Sequence, residues 1–397
     1  MTVFLGGGFA AKYLQGGGNF SVPLQWMLGL RRLKLDAIWL EHLPSEGNLR
    51  DDQRKIDNFQ RQLRAHGLGG RYCLLYQKTA DSLHDLDSLQ CIGISKRELL
   101  DRLSGPNVIL NLSYSIHPPL LLKFERRIFC DLDPSEIIYW MTQMEMGQSS
   151  HHEFWTIGLN VNDPGCKLLK IVAAPVSDAS SSSRPTRPPL HWKTFYPLVD
   201  TKLYRPQPRP RSPKFTTIGQ WYWGGAVEVD GTFPDLSKKY AFEQYLDLPR
   251  RVPKAKFELA MHMNPDDPER ERLRKRGWHV VDPHCVARTP KKYRSYLASA
   301  LGEFTAIKGV DVSWKTGWLS DRAAAFLAMG RPVVTEDTGA ARYLPSASGF
   351  HFVGDLEDAA AAIQDLLANW PRRSREARAS ALEVFDSAKN LRKILAA

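Results

Sequence analysis

The sequence predicts an α/β protein with two Rossmann-like, doubly wound domains, each a parallel sheet covered by helices. Three observations support this prediction. The chain has 397 residues, which is too long for one compact core and suits two domains of about 150 to 200 residues. Apolar strand-like segments alternate with helix-like segments in both halves of the chain, and a stretch rich in Ser, Pro and Arg separates the halves at residues 177–192.

The first half opens with a short apolar strand at residues 2–7 that ends in glycines. Residues 22–33 have the periodicity of a helix, and residues 36–42 return to a strand pattern. The alternation continues through further segments at residues 71–76, 95–103, 107–113, 126–133 and 153–160. Apolar strands separated by helices imply a parallel sheet with both faces covered.

The stretch at residues 177–192 cannot bury a core, so we predict a linker or a surface loop there. After it, strand patterns recur at residues 214–220, 257–262, 278–283, 332–337 and 349–353, with helical patterns between them. We therefore predict an N-terminal domain, a linker with a hinge, a C-terminal domain and a final helical segment. Their ranges are residues 1–175, 176–213, 214–370 and 371–397.

The composition is that of a globular protein, with 43% hydrophobic and 24% charged residues. No segment reaches the roughly 18 to 20 apolar residues that span a membrane, and the N-terminus lacks the pattern of a secretory signal. We therefore expect a cytoplasmic protein. The five cysteines are far apart and include no CxxC pair, which argues against a disulfide framework and against a zinc site.

The chain carries 54 Lys and Arg against 43 Asp and Glu, a formal net charge of +11. This excess attracts phosphate groups, whether on a nucleotide, a nucleic acid or a membrane surface. Many of the basic residues fall in solvated stretches such as residues 205–214, 269–276 and 372–378. A general basic surface is therefore favoured over a dedicated nucleic-acid groove, because no signature of aromatic and basic residues for nucleic acid is present.

Residues 312–339 predict a ligand site, because ligands of parallel sheets bind beyond the carboxyl ends of the strands. Ser320 is a good helix N-cap, so the helix after it presents backbone N–H groups that suit a phosphate. Asp321 in the first turn would repel a phosphate at that point, and it suits a sugar hydroxyl or holds Arg322 instead. A second polar loop follows the next strand at residues 335–339, and we expect both loops to face one cleft. The alternative interpretation is an ordinary capped helix.

This segment resembles the nucleotide-sugar-binding region of the two-domain GT-B glycosyltransferases, above all the retaining type, the glycosyl transferases group 1. In those enzymes an acid-bearing loop precedes a helix that ends in AMACGTPVV, and a small Gly-rich loop follows. Here the chain reads FLAMGRPVVTEDTG at residues 326–339. Residues 196–206, YPLVDTKLYRP, are similar to the hinge pattern xNGVDTxxFxP of that family, and residues 16–42 are similar to its Gly-rich first loop, helix and second strand.

The resemblance implies the GT-B fold, in which the two domains face each other across a cleft and the final segment, residues 371–397, crosses back to the N-terminal domain. It also implies a hexosyltransferase-like enzyme whose co-substrate is a nucleotide diphosphate sugar. The C-terminal domain would hold this donor and the N-terminal domain the acceptor. Lys315, Arg322 or Lys238 could supply positive charge against the diphosphate, and Lys315 is the best placed of them by sequence. No other cofactor and no metal is expected, because Lys315 or Arg322, with the helix start at Ser320, would assist departure of the diphosphate.

Eight residues are predicted to bind the donor at the end of the first strand of its domain and in the two loops. They are Gly219, Trp221, Lys315, Ser320, Asp321, Arg322, Thr338 and Gly339. The chain also departs from the family pattern. Retaining members carry two glutamates eight residues apart, and Gly317 and Ala325 stand in their places here. No evident pair of Arg and Lys follows the first donor-domain strand, so the resemblance is to a divergent branch of the fold.

Two triple-glycine clusters in the N-terminal domain, at residues 6–8 and 16–18, let the backbone approach a ligand closely, although a flexible loop is the alternative. The residues predicted to bind the acceptor are Gly16, Gly17, Gly18, Asn19 and His117.

Sugar transfer needs a group that deprotonates the acceptor or steadies the leaving phosphate, and Asp133 and His151 are the predicted catalytic residues. The alternatives are a turn cap for an Asp before Pro and a solvated surface pair for His151 with His152.

Two other functions stay open on the sequence alone. A protein that binds or modifies nucleic acid would use the basic surface, and its affinity would fall steeply as salt rises. A sugar-nucleotide epimerase shares the two-domain fold and would invert or hydrolyse the sugar without an acceptor. For a transferase, retention and inversion of the anomeric configuration both stay open.

Overall fold

The computed structural model of the protein describes residues 1–79, 84–168, 190–229 and 231–397. It divides into two compact units. Unit 1 contains Met1–Phe195 and Leu391–Ala397, and unit 2 contains Tyr196–Asn390. The predicted linker at residues 177–192 lies mostly outside the described residues, and the final segment belongs to unit 2 as far as Asn390.

Unit 1 is built on a sheet of eight strands in the part of the chain that the structure describes. The strands are β1 (Thr2–Gly7), β2 (Asp36–Pro44), β3 (Tyr72–Gln77), β4 (Gln90–Gly93), β5 (Asn107–Leu112), β6 (Arg126–Asp131), β7 (Glu153–Thr156) and β8 (Trp192–Thr194). Their spatial order is β4-β3-β2-β1-β5-β6-β7-β8, and neighbouring strands are parallel except for β3 and β4. The order reverses between β1 and β5, and ligands of such sheets bind at that switch point.

The helices that the structure describes in full in unit 1 follow or connect these strands. They are α1 (Gly17–Arg32), α2 (Leu49–Ala65), α3 (Lys96–Leu103) and α4 (Pro134–Gln143). Strands β1, β3 and β5 are buried along their whole length, as the continuous apolar runs of the sequence predict for a parallel sheet covered on both faces.

The glycines at the end of β1 make room for neighbouring side chains. A Cβ at Gly6 would lie 2.9 Å from Oδ1 of Asn111 and 2.9 Å from Cγ1 of Ile116, and a Cβ at Gly7 would lie 2.7 Å from Oε2 of Glu41. These two glycines therefore leave room for packing within unit 1, which is a sufficient structural reason for glycine at both positions.

Unit 2 contains a second sheet of six described strands. They are β9 (Lys214–Gln220), β10 (Lys256–His262), β11 (Trp278–Val281), β12 (Gly302–Thr305), β13 (Val333–Glu336) and β14 (Phe350–Val353). The sheet is parallel throughout, with the order β11-β10-β9-β12-β13-β14. Its order reverses between β9 and β12, so the carboxyl ends of these two strands are the place where a ligand of this sheet is expected.

The helices of unit 2 complete the doubly wound pattern. They are α5 (Lys238–Phe242), α6 (Leu248–Arg251), α7 (Pro268–Lys275), α8 (Pro283–Ala287), α9 (Pro290–Ala298), α10 (Gly309–Trp314), α11 (Asp321–Ala328), α12 (Leu356–Glu383) and α13 (Ser387–Ala396), whose last residues belong to unit 1. Helix α12 bends at Asn369, shortly before Pro371, because proline supplies no N–H for the helical ladder. Within the described ranges, no helix is long and apolar enough to cross a membrane.

Two arginines fasten the first residues of unit 2 to its body. Arg331, which is 1% exposed, donates hydrogen bonds to the carbonyls of Gln207, Pro208 and Ala298. Arg378 donates to the carbonyls of Thr201, Tyr204 and Ala328. The hinge-like segment that the sequence predicts is therefore held by guanidinium groups, which can each serve several carbonyls at once.

Candidate functional site

The two polar loops predicted from residues 312–339 lie side by side in unit 2. The amide of Gly317 donates to the carbonyl of Thr338 at 2.8 Å, and the Thr338 hydroxyl donates to the carbonyl of Trp318 at 2.8 Å. The ammonium group of Lys315 donates to the carbonyl of Asp337 at 3.2 Å. The loops therefore form one surface at the carboxyl end of β13 and the start of α11.

Helix α11 begins as the sequence predicts. Ser320 is its N-cap, and its Oγ accepts a hydrogen bond from the amide of Ala323 at 3.0 Å. Burial raises the pKa of Asp321 in the first turn to about 7. Near neutral pH this carboxyl is therefore partly protonated, so it can donate a hydrogen bond to a ligand oxygen and repels a phosphate less than a full charge would.

Arg322 reaches from α11 to the ends of β9 and β12. Its Nε forms an ion pair with Glu303, its Nη1 donates to the carbonyl of Ile218 at 2.7 Å, and its Nη2 donates to Oγ1 of Thr305 at 3.4 Å. The Arg322 side chain is only 15% exposed. A permanent positive charge is thus fixed at the switch point of the sheet, where the ion pair and the carbonyl define its position.

Lys238 brings a second cation to the same place. Its Nζ donates to the carbonyl of Ala306, just beyond β12, at 2.7 Å, and its side chain lies against Gly219 near the end of β9. Burial first, and the charge of Arg322 second, lower the pKa of Lys238 from 10.5 to about 7. The switch point of this sheet therefore carries two cations, and the charge of one of them depends on pH near neutrality.

Two buried carboxylates adjoin these cations. Oε1 of Glu303 accepts from Thr217 at 3.2 Å as well as from Arg322, while its Oε2 accepts no hydrogen bond from any residue within the described ranges. Burial raises the pKa of Glu336, whose oxygens accept from the amide of Ile307 and the side chain of Gln244 at 2.7 Å each. The sequence analysis placed Glu336 in the polar loop at residues 335–339 and missed Glu303, although an acid inside a short apolar strand was the available signal.

Three predicted donor residues have other roles in the structure. Trp221 is 0% exposed and packs against Phe242 in the core of unit 2, so we do not carry it forward as a donor contact. The next tryptophan, Trp223, is the exposed one. Gly219 lies beside Lys238, and Gly339, at a φ of 88°, forms the turn after β13 with its amide on Oδ1 of Asp337.

His151 in unit 1 is enclosed by hydrogen bonds. Its Nδ1 lies 2.7 Å from the carbonyl of Gly147 and must donate there, and its Nε2 lies 3.0 Å from Nδ2 of Asn111 and must accept. Burial lowers the pKa of His151 to about 4. Both ring nitrogens are used to hold the structure, so we do not carry His151 forward as a catalytic residue.

His117 lies in a row of aromatic and imidazole rings near the carboxyl ends of the central strands. Ring centroids are 4.1 Å apart for Tyr114 and His117, 4.7 Å for His117 and His84, and 4.1 Å for His84 and His42. Burial lowers the pKa of each of these histidines, that of His84 to about 3, so the row is uncharged at neutral pH. Across the described residues, no group of three or more His, Cys, Asp and Glu is arranged to hold a metal ion.

Asp133 lies at the end of β6, where it is the N-cap residue of α4 and partly buried. Its amide donates to Oδ1 of Asp131 at 2.8 Å, and Oδ2 of Asp131 accepts from the Thr156 hydroxyl at 2.5 Å. The buried Asp131 thus shapes the loop that presents Asp133, which keeps its predicted place beyond a strand end.

The predicted acceptor loop forms the start of α1. Gly16 is the N-cap residue, and Gly17, Gly18 and Asn19 form the first turn. A Cβ at Gly16 would lie 2.6 Å from Cβ of Tyr13, so the turn into the helix needs a glycine there. The amide groups of this first turn lack helical partners and are available to a ligand at the end of β1.

Glu41, which the sequence analysis did not single out, fixes the loop between β1 and α1. Its Oε1 accepts from the amides of Ala10 and Ala11 at 2.7 and 2.9 Å, and its Oε2 accepts from Trp39 at 2.9 Å. Burial raises the pKa of Glu41 to about 7. The loop ahead of the predicted acceptor residues is therefore tied to a carboxyl on the neighbouring strand.

Comparisons with known proteins agree with this architecture. No protein-family profile matches the sequence, and no curated protein matches it in sequence. Solved structures match over the full chain. An alpha-glucosyltransferase in complex with UDP and a 13-mer DNA has a TM-score of 0.54 at 11% identity, covering 100% of this chain and 99% of its own. A sucrose-phosphate synthase from Thermosynechococcus elongatus has a TM-score of 0.54 at 11% identity, covering 100% and 98%.

A protein named for a different activity has a similar fold. The N-terminal domain of a Candida albicans trehalose-6-phosphate phosphatase has a TM-score of 0.56 at 9% identity, covering 100% of this chain and 96% of its own. At such identities the likeness concerns the fold and not the reaction. The sequence prediction of the fold is confirmed: this chain has the two-unit α/β architecture of the GT-B glycosyltransferases.

Proposed function

We propose that the protein transfers a sugar from a nucleoside diphosphate sugar to an acceptor, and that unit 2 binds the donor. The observation that carries this proposal is the pair of Lys238 and Arg322 at the switch point of the sheet of unit 2. The pair contacts residues at the ends of β9 and β12, where ligands of doubly wound sheets bind. A diphosphate carries the negative charge that these two cations can bind.

The chemical role of the pair is to stabilise the leaving diphosphate. When the bond between the sugar and the diphosphate breaks, negative charge grows on the departing oxygen, and fixed cations stabilise that charge more than they stabilise the intact donor. Arg322 is held in place by Glu303, so it needs no reorganisation during the step. Lys238 takes up a proton as the anion binds, because its pKa of about 7 rises beside negative charge. On this proposal the reaction needs no metal ion.

On the acceptor side we propose unit 1, with the first turn of α1 and His117 as binding elements. Asp133 is the proposed base, since it lies beyond a strand end and a carboxylate can take the proton of an acceptor hydroxyl. Of the two catalytic residues that the sequence predicts, Asp133 is the one that we retain.

Turnover on pooled substrates tests the proposal. The protein is incubated with a mixture of nucleotide sugars and a host extract, and mass spectrometry follows free nucleoside diphosphate and acceptors that gain the mass of one sugar residue. We expect both signals with the wild-type protein and neither with Lys238→Met. Lys239→Met is the matched control, because Lys239 is paired with Glu269 at 3.5 Å on the surface.

Two outcomes of the same experiment contradict the proposal. Release of free nucleoside diphosphate and free sugar, with no acceptor that gains mass, indicates the epimerase alternative. Consumption of no nucleotide sugar at all, by a protein that binds nucleic acid with steep salt dependence, indicates the nucleic-acid alternative. If the acceptor signal disappears after nuclease treatment, transfer stands and the acceptor is a nucleic acid.

A further inference from the structure

Exposed aromatic side chains are concentrated in one segment of unit 2. Within the described ranges six aromatic side chains are classed as exposed, and four of them fall between residues 222 and 240. These four are Tyr222, Trp223, Phe233 and Tyr240. Exposed aromatic side chains so close together in the chain indicate a binding surface.

Trp223 is tied to the segment that carries Lys238. Its amide donates to Oγ of Ser237 at 2.9 Å, and Ser237 directly precedes Lys238. Lys308, three residues beyond β12, places its Nζ 5.0 Å from the centroid of the Trp223 ring. The indole, which is 42% exposed, is therefore attached to the loops that follow β9 and β12, the two loops that also carry Lys238 and its carbonyl partner.

The charges around the segment favour a ligand that combines one flat ring with a compact anion. Two acids lie beside these rings, since the Tyr222 hydroxyl donates to Asp267 at 3.1 Å and Lys239 pairs with Glu269. Acids at these positions oppose a polyanionic strand running along the rings, which needs cations all along its path. A single base stacked on Trp223 needs no row of cations, and its phosphates need positive charge only at Lys238 and Arg322.

We propose that Trp223, flanked by Lys308, is the stacking platform for the nucleobase of the donor nucleotide. The inference rests on the proposed function, since it names the part of the donor that this aromatic segment binds. Stacking on an indole tolerates any base, so the platform contributes affinity for nucleotides as a class and leaves the choice of base to polar groups.

Calorimetric titration of the full chain with two ligands tests this assignment. The first ligand is the tightest binder among UDP, ADP, GDP and dTDP, and the second is inorganic pyrophosphate, which lacks a base. Trp223→Ala is expected to weaken the nucleoside diphosphate about 10- to 30-fold and to leave pyrophosphate within about twofold. Trp223→Phe is expected to restore most of the loss, and the melting temperature of both variants should stay at the wild-type value because the ring is exposed.

The matched control is Tyr13→Ala, which removes another exposed ring beside a lysine, with Lys12 Nζ at 5.8 Å, from unit 1. It should leave both affinities unchanged. Unchanged nucleotide affinity in Trp223→Ala overturns the assignment, and so does an equal loss for both ligands, which places the effect on the anion site. A loss confined to a single-stranded oligonucleotide also overturns it. If the wild-type protein binds none of the four nucleotides, the proposed function fails as well. If the wild type binds a nucleotide and Trp223→Ala binds it equally well, only the stacking assignment fails.

Discussion

Lys238→Met should make the protein more stable and lower its affinity for nucleotide. Lys238 is forced into a partly buried place beside Arg322, so the folded state holds its charge at a cost that the unfolded state does not have. Methionine has a similar length and no charge, so it fills the same space without that cost. A cation that destabilises the unliganded fold is expected where function, and not stability, requires it.

The magnitude follows from the pKa of Lys238. Its fall from 10.5 to about 7 sets an upper limit of about 5 kcal/mol on the cost of the charge, at about 1.4 kcal/mol for each pH unit. Methionine also loses the hydrogen bond to the Ala306 carbonyl, worth about 1 kcal/mol, and relaxation reduces the cost further. We expect a net gain of about 1 to 3 kcal/mol in the free energy of unfolding at pH 7, and nucleotide affinity lower by about 10- to 100-fold.

The pH dependence of stability tests the sign of the predicted change in the free energy of unfolding. Because the folded pKa of Lys238 lies below the unfolded one, the unfolded state binds more protons between pH 7 and about 10.5, and this residue makes wild-type stability rise with pH in that window. The advantage of Lys238→Met should therefore shrink as pH rises. Denaturant melts at pH 7 and pH 9.5, with calorimetry for the nucleotide, measure both effects. A variant that is less stable than the wild type at pH 7, or that binds nucleotide equally well, refutes the reasoning; Lys239→Met should change stability by no more than about 0.5 kcal/mol.

Three further predictions concern other parts of the molecule. Nucleotide affinity of the wild type should fall as pH rises from 6 to 9, because Lys238 takes up a proton on binding. Calorimetry near pH 8 in buffers of different ionisation enthalpy measures this proton uptake, and Lys238→Met should abolish it. If the variant keeps the proton uptake, another group is responsible for it. Arg331→Met should lower the free energy of unfolding in denaturant melts by about 3 to 5 kcal/mol, because three carbonyls lose a donor, while nucleotide affinity of the folded fraction stays constant. A variant as stable as the wild type contradicts the role of Arg331 in holding the first residues of unit 2. Asp133→Asn should lower kcat at least about 100-fold with unchanged donor affinity, whereas His151→Phe should cost about 1 to 3 kcal/mol of stability because Nδ2 of Asn111 loses an acceptor; the reverse pattern restores His151 as the base.

Most of the fold could be predicted from the sequence, because apolar runs and caps are local signals. The strands predicted at residues 2–7, 107–113 and 214–220 are present almost residue for residue. The N-cap at Ser320 also needed no tertiary information, since the capping bond joins residues three apart in the chain. The edge strand β4 escaped prediction because it is short and half-exposed, with little apolar pattern.

The candidate site depended on contacts that no local pattern encodes. Choosing between Trp221 and Trp223 required knowing which ring faces the core, and the loop after β9 has no periodicity that decides it. The role of Arg322 on helix α11 depends on Glu303, which lies 19 residues earlier on strand β12. His151 looked like a surface residue because its partner Asn111 is 40 residues away along the chain. In each case the sheet brings together residues whose sequence neighbours give no hint of the contact.

Photoaffinity labelling tests the central claim, the position of the donor, most directly. An azido-substituted nucleoside diphosphate sugar, with the base selected by the binding panel, is crosslinked to the wild-type protein, and the labelled peptides are identified by mass spectrometry. We expect the label in the loops after β9 and β12, within residues 219–240 and 305–322, and we expect excess unlabelled nucleoside diphosphate to remove it. Saturable labelling confined to unit 1, or labelling that Lys238→Met leaves unchanged, would contradict the assignment of unit 2 as the donor-binding unit.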